Sequence, residues 1–243
     1  MSEKYIKFFE GFALAYGVAD MSTLKIDPES GKQKPDYRWN DQPLTTQVYL
    51  NHLAGTQSIG VQPCNEESEA RFGVIDVDPK NYEDFDKKFF IDIIQNYKLP
   101  LIPVLSKSGG LHLYLFMKEF VPAVLIRSFL SNLLSLFKLK PDCEIFPKQT
   151  QLTKDNETGQ LNKGNFINLP YFKKSERLAI NLDGKPFTFD QFISVVESNT
   201  VHAEDLKNLT QSIEEKDLEG VDPEFEDGPP CLAHLSKIMR NPG

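Results

Sequence analysis

Between Phe72 and Lys138 the chain alternates short apolar runs with helix-spaced ones, and the two periods separate cleanly. FGVIDVD, residues 72–78, is apolar up to its closing acids and predicts a buried strand. YEDFDKKFFIDIIQNY, residues 82–97, has helical spacing, and LPLIPVLS, residues 99–106, is a strand bounded by Pro and Ser, so the three predict a β-α-β unit. GGLHLYLFM, residues 109–117, enters through two glycines and then alternates. Leu111, Leu113 and Leu115 take one face and His112, Tyr114 and Phe116 the other, and the segment pairs with the preceding strand as a hairpin. VPAVLIRSFLSNLLSLFK, residues 121–138, predicts an amphipathic helix and CEIFP, residues 143–147, a short strand. A long polar loop, residues 149–165, then leads to the apolar FINLPYF, residues 166–172.

The first 70 residues are less regular. Residues 25–42 (KIDPESGKQKPDYRWNDQ) cluster Pro, Gly, Asp and Asn and predict a loop that carries the single tryptophan, Trp39. PLTTQVYLNHLAG follows as a short helix capped by Thr45 or Thr46 and ended by Gly55, and SIGVQP as a short buried strand. Near the other end, FTFDQFISVV, residues 187–196, predicts a buried helix, and residues 205–230 a short acidic helix followed by a linker. This order of elements predicts an α+β fold with helices backing a mainly antiparallel sheet. Residues 1–200 are expected to form the main domain, and residues 201–243 an acidic helix and linker that begin a truncated accessory region.

Composition adds bounds. At 243 residues, with 40% hydrophobic and 26% charged side chains, the chain can build a real core. Its net charge of −8 argues at first against a nucleic-acid partner. The acidity is local, however: residues 201–243 hold ten acidic and four basic side chains, whereas residues 101–200 hold twelve basic and nine acidic. A near-neutral body with a basic surface can still bind a phosphate backbone. Cys64, Cys143 and Cys231 are widely spaced and odd in number, which fits a reducing compartment. No apolar stretch has signal-peptide or membrane-spanning length, so a soluble, cytoplasmic protein with no membrane partner is expected.

Candidate chemistry concentrates in the regular middle of the chain. Asp76 and Asp78 are two apart at the end of a strand, so both carboxylates point one way, an arrangement suited to Mg2+ or Mn2+. His112 follows Gly109 and Gly110, which permit close approach of a ligand, while Ser106, Lys107 and Ser108 offer hydroxyls and a cation to a phosphate. Glu144 lies on a short apolar strand, where an unpaired carboxylate is costly and a metal would satisfy it; solvent or a neighbouring Lys would serve as well. Asp142 competes with Glu144, and Glu144 is preferred because it follows Cys143 into the strand. Zinc spacings, a Walker loop and a G-x-S-x-G elbow are all absent.

FGVIDVD, SKSGGLHLY, CEIFPKQ and KGNFINLPY, in that order, resemble the catalytic core of the archaeo-eukaryotic primase superfamily, in particular the primase-polymerases of phages, plasmids and mobile elements, over roughly residues 37–172. The resemblance implies an RRM-like antiparallel sheet joined to an N-terminal αβ half. It implies that Asp76, Asp78 and Glu144 bind catalytic Mg2+ or Mn2+ and that His112 contacts the phosphates of an incoming NTP or dNTP. The second motif departs from the family's tighter Ser-x-His, leaving Ser106 or Ser108 as its serine. Lys107, Lys148, Lys163 and Asn165 are expected along the triphosphate or template backbone, with Arg38 and Trp39 as candidates to clamp a base. The activity implied is template-directed nucleotidyl transfer on single-stranded DNA in a bacterial or virus-infected cell, with a helicase or accessory domain as a further partner. Two other readings compete. A non-catalytic RRM-like single-strand binder would stack bases on Tyr114 and Phe116, and a metal-dependent nuclease would use the same acids without needing SKSGG or His112.

Overall fold

The computed structural model describes residues 1–26, 33–173 and 175–219. Two four-stranded antiparallel sheets carry the fold. The first contains β1 (Tyr16–Ile26), β2 (Gln33–Asn40), β3 (Ile59–Val61) and β8 (Ile167–Asn168), in the order β2-β1-β3-β8. The second contains β4 (Glu69–Val77), β5 (Leu101–Leu105), β6 (Leu111–Pro122) and β7 (Glu144–Phe146), in the order β5-β6-β4-β7. The helices are α1 (Ser2–Phe8), α2 (Thr46–Leu53), α3 (Lys87–Asn96), α4 (Ala123–Leu136), α5 (Phe189–Asn199) and α6 (Ala203–Glu219). Residues Met1–Leu206 form one compact unit; of the second unit, Lys207–Gly243, the described part is the remainder of α6. The expected linker and accessory segment lie outside the described residues, and no helix among the described ones is long and apolar enough to cross a membrane.

The second sheet follows the sequence pattern closely. β4, α3 and β5 form the expected β-α-β unit, split by β6, which pairs antiparallel with both strands. α3 starts at Asp86, whose carboxylate accepts from the Lys88 backbone N–H at 2.9 Å, and buries Phe90, Ile91 and Ile94 on one stripe. α4 packs on the odd-numbered face of β4 through Ile126, Leu130 and Leu133. The even-numbered face of β4 carries Phe72 and Val74 and meets Tyr114 and Phe116 of β6 in an aromatic core completed by Phe9 and Phe192. α5 joins this core from a capping box in which Thr188 and Gln191 satisfy each other's backbone donors. Between Ala70 and Phe72 the β4–β6 register shifts, and from Phe72↔Phe116 to Val77↔Leu111 it runs without interruption.

The first sheet departs from the sequence reading at its edge. Within the loop expected over residues 25–42, β1 runs on to Ile26 and β2 spans Gln33–Asn40, the two pairing antiparallel; residues 27–32 lie outside the described residues. The polar composition is compatible with a strand here because β2 lies at the sheet edge, where one row of backbone groups faces water and a residue such as Pro35 is tolerated. FINLPYF supplies β8, which pairs with β3 through Gly60↔Asn168 and Val61↔Ile167 across more than a hundred residues of sequence.

Candidate active site

One cross-strand row organises the site. Asp76, on the central strand β4, stands directly opposite His112 on β6 and directly opposite Glu144 on β7. Paired residues of an antiparallel ladder share a face, so the three side chains project from the same side of the sheet. His112 Nε2 lies 3.3 Å from Asp76 Oδ1, and the imidazole is buried while the carboxylate is half-buried. Asp78 lies just beyond the strand, where it caps the 3-10 turn Pro79–Asn81 by accepting from the Lys80 backbone N–H at 3.2 Å; it also pairs with the Lys80 ammonium at 3.1 Å.

Asp76, Asp78, Asp142 and Glu144 line one cavity of about 280 Å³, together with Lys80, Lys140, Tyr82 and Cys143. Both candidates for the third acid therefore reach the same space, and only Glu144 is in register with Asp76. Glu144 is exposed, with 55% of its side-chain surface accessible, and its Oε1 accepts from Lys148 Nζ at 2.8 Å. The cost of burial thus gives no reason for a metal at this carboxylate; a lysine and solvent already satisfy it. Cys143 is the member that the sequence did not flag. Its thiol donates to the Asp76 carbonyl at 3.4 Å, and burial pushes it up to about 11, which keeps it a protonated donor.

The donor set fits a hard divalent ion by chemistry, since the cavity offers several carboxylate oxygens and no competing imidazole or thiolate. As the side chains stand, no group of three or more His, Cys, Asp or Glu among the described residues converges on one point. Two of the acids are turned toward lysines instead.

The turn before β6 is built by its own hydrogen bonds. Ser106 Oγ accepts from the Gly110 N–H at 3.0 Å and lies 2.9 Å from Ser108 Oγ, so both serines of SKSGG are engaged in the turn. The two glycines have distinct physical causes. Gly109 adopts φ +91° in open space, a conformation side chains disfavour. Gly110 abuts β4: a Cβ there would stand 2.1 Å from the Val77 carbonyl oxygen, so the close approach expected of a ligand is made by the protein's own backbone. Lys107 is exposed at the tip.

Lys163 and Asn165 belong to a neighbouring network. Lys163 pairs with Asp41, and its carbonyl accepts from Gln62 Nε2 at 3.2 Å. Asn165 is gripped by Gln149, which accepts from its N–H at 3.0 Å and donates to its Oδ1 at 2.8 Å. Gln149 directly follows Lys148, so the 163–165 turn is fastened to the end of β7 by a residue that the sequence reading passed over. Trp39 is half-buried, edge-on to Phe166 at 5.0 Å between ring centroids, and so is packed rather than presented; Arg38 is exposed. Tyr114 and Phe116 are fully buried in the aromatic core, so no base can stack on them, which removes the binding platform that the non-catalytic reading requires.

The second sheet thus aims four acids at one cavity that two lysines also line, with His112 beside Asp76 in the same cross-strand row. The family described as "TOTE conflict system, Archaeo-Eukaryotic Primase domain" matches residues 22–216, and the chain belongs to that family of primase domains. A crystal structure of the primase RepB′ is similar over 90% of this chain at 13% identity, with a TM-score of 0.33; this chain covers 66% of that one. No curated protein matches the sequence.

Proposed function

We propose that the chain is a template-directed nucleotidyltransferase that extends or initiates a strand on single-stranded DNA from NTPs or dNTPs. The observation that carries this reading is the row His112–Asp76–Glu144 across β6, β4 and β7, with Asp78 at the mouth of the same strand.

Asp76, Asp78 and Glu144 are assigned as the residues that hold Mg2+ or Mn2+; when bound, the ions supply charge neutralisation at the triphosphate and acidify the attacking 3′-hydroxyl. Lys148 and Lys80 hold Glu144 and Asp78 in charged pairs until then, which lowers the repulsion of four clustered carboxylates. His112 is assigned to the phosphates of the nucleotide. Asp76 faces its Nε2 across the ladder, and the ring is buried. Lys107, Ser106 and Ser108 lie at the turn that leads into the same row, where a phosphate can be met by hydroxyls and one ammonium. Lys163 and Asn165 are assigned to the triphosphate tail or template backbone, and a helicase or C-terminal accessory region is the expected partner.

The test is direct. The protein is incubated with single-stranded template and Mg2+ or Mn2+, with rNTPs and dNTPs in separate reactions, each with and without a labelled primer. The expected result is strand lengthening or de novo product. Shortening of the labelled strand without any lengthening would instead identify a nuclease.

A further inference from the structure

Arg177 is a buried cation with no anionic partner among the described residues. The residue is 8% exposed, and its Nη2 donates to Ser58 Oγ at 2.6 Å. Its Nε is shut off from solvent and donates to nothing. The titratable groups that reach it are Tyr5, Tyr37, Tyr114 and His52, and no described carboxylate pairs with it. A guanidinium has five donors in a rigid fork matched to carboxylate or phosphate, and removing it from water is strongly unfavourable unless an anion accompanies it. Burial accordingly lowers its pKa from the usual arginine value.

Its place in the fold says where that anion enters. Ala179 pairs with Val104 of β5, and the Leu105 N–H donates to the Leu178 carbonyl, so continuing the register sets Arg177 beside Ser106. Val104 in turn pairs with His112, and Tyr114, on the same face two residues along β6, has its ring 6.1 Å from the imidazole. Arg177 therefore stands on the His112 side of the sheet, next to the 106–110 turn. Tyr37, which also reaches Arg177 electrostatically, is itself 44% exposed.

We propose that Arg177 is a phosphate-binding residue on the His112 side of the sheet: Ser58 holds the guanidinium in aim, and the fork receives the oxygens of a phosphate beside Ser106 and His112. The phosphate belongs either to the nucleotide or to the template strand. That choice rests on the nucleotidyltransferase reading, whereas the need for an anion does not.

The test compares wild type with Arg177→Met and Ser58→Ala by thermal melts with and without inorganic pyrophosphate, and by binding of a non-hydrolysable nucleoside triphosphate and a labelled oligo-dT. Met keeps the apolar stem and removes the uncompensated charge, so the unliganded variant is expected to melt at or above the wild-type temperature and to lose the rise that pyrophosphate gives the wild type. Triphosphate affinity falling about tenfold or more, with oligo-dT binding within about twofold, assigns the phosphate to the nucleotide; the reverse assigns it to the template. An unliganded variant that melts well below wild type with both affinities unchanged overturns the proposal and makes Arg177 a structural residue. Should Arg177→Met fail to fold, Ser58→Ala decides, since it keeps the charge and frees its aim: a several-fold loss of phosphate affinity supports the role, and unchanged affinity overturns it. A wild type that gains stability from pyrophosphate through Arg177 yet extends no strand would overturn the nucleotidyltransferase reading alone.

Discussion

Asp76 and His112 face each other across the β4–β6 ladder, with imidazole Nε2 3.3 Å from carboxylate Oδ1. That separation is long for a charge-assisted hydrogen bond and leaves both groups able to turn toward a ligand. The pair is a contact held by strand register, and its two members are separable by mutation.

Replacing Asp76 with Asn keeps shape and hydrogen bonding while removing one of four clustered negative charges. Strand extension is expected to fall by about a thousandfold or more, as when a metal or transition-state contact is lost. The urea midpoint is expected to hold or rise slightly, because like-charge repulsion around the cavity declines. Extension within tenfold of wild type at saturating Mn2+ would refute the assignment.

His112→Ala is expected to act on nucleotide affinity more than on metal affinity. The apparent KM for the nucleotide should rise by about tenfold or more, the loss of a hydrogen bond to a charged group. A Mn2+ titration followed by paramagnetic relaxation separates the outcomes: lost Mn2+ affinity with unchanged KM would make His112 a metal ligand.

His52 predicts the acid limb of stability. It is fully buried, accepts from the Ile59 N–H at Nδ1 and lies 2.9 Å from the Pro170 carbonyl at Nε2, so the neutral ring satisfies both neighbours. Burial lowers its pKa to about 4 from 6.5. The unfolded chain therefore binds a proton that the folded one refuses, and stability is full above about pH 6.5 and declines as pH falls toward 4, by about 3 kcal/mol at most. Urea unfolding between pH 7.5 and 4.5 measures this. His52→Gln, which can accept and donate at the same two places, should flatten the slope.

The two glycines of the turn should respond unequally to alanine. Gly110→Ala drives a Cβ into the Val77 carbonyl at the edge of the candidate site and is expected to cost about 2–4 kcal/mol, as overpacking against backbone does. Gly109→Ala meets only its positive φ and should cost about 1 kcal/mol. Chemical denaturation of the two variants checks the order; equal costs would mean that the turn moves freely away from β4.

The sequence was most readable where structure is local. The alternation of β6 put His112 on one face with Tyr114 and Phe116, the acids of FGVIDVD marked the mouth of β4, and α3 and α4 followed helical spacing, because each of these signals lies within a dozen residues. Legibility failed where position depends on a distant partner. β2 hid in a polar stretch because an edge strand needs no buried alternation, and the pairing of β3 with β8 left no periodic trace. Glu144 stands out in the sequence by its place on a short apolar strand, but its exposure and its tie to Lys148 are visible only in three dimensions. Gln149 and Arg177 had no local signal at all, since what distinguishes them is the company they keep after folding.

The register shift between Ala70 and Phe72 has a bearing on how this site tolerates change in length. Downstream of it, every added or deleted residue in β4 would exchange Asp76 for an apolar neighbour, Ile75 or Val77, in the row with His112 and Glu144, turning the carboxylate to the α4 face. Upstream, the ladder already accommodates unequal numbers of residues on its two strands, so a one-residue insertion near Arg71 can be absorbed before it reaches the acids. Insertions and deletions among related chains are thus expected to collect before Phe72 and in the 149–165 segment, and to be missing from the six positions between the shift and the mouth of the strand.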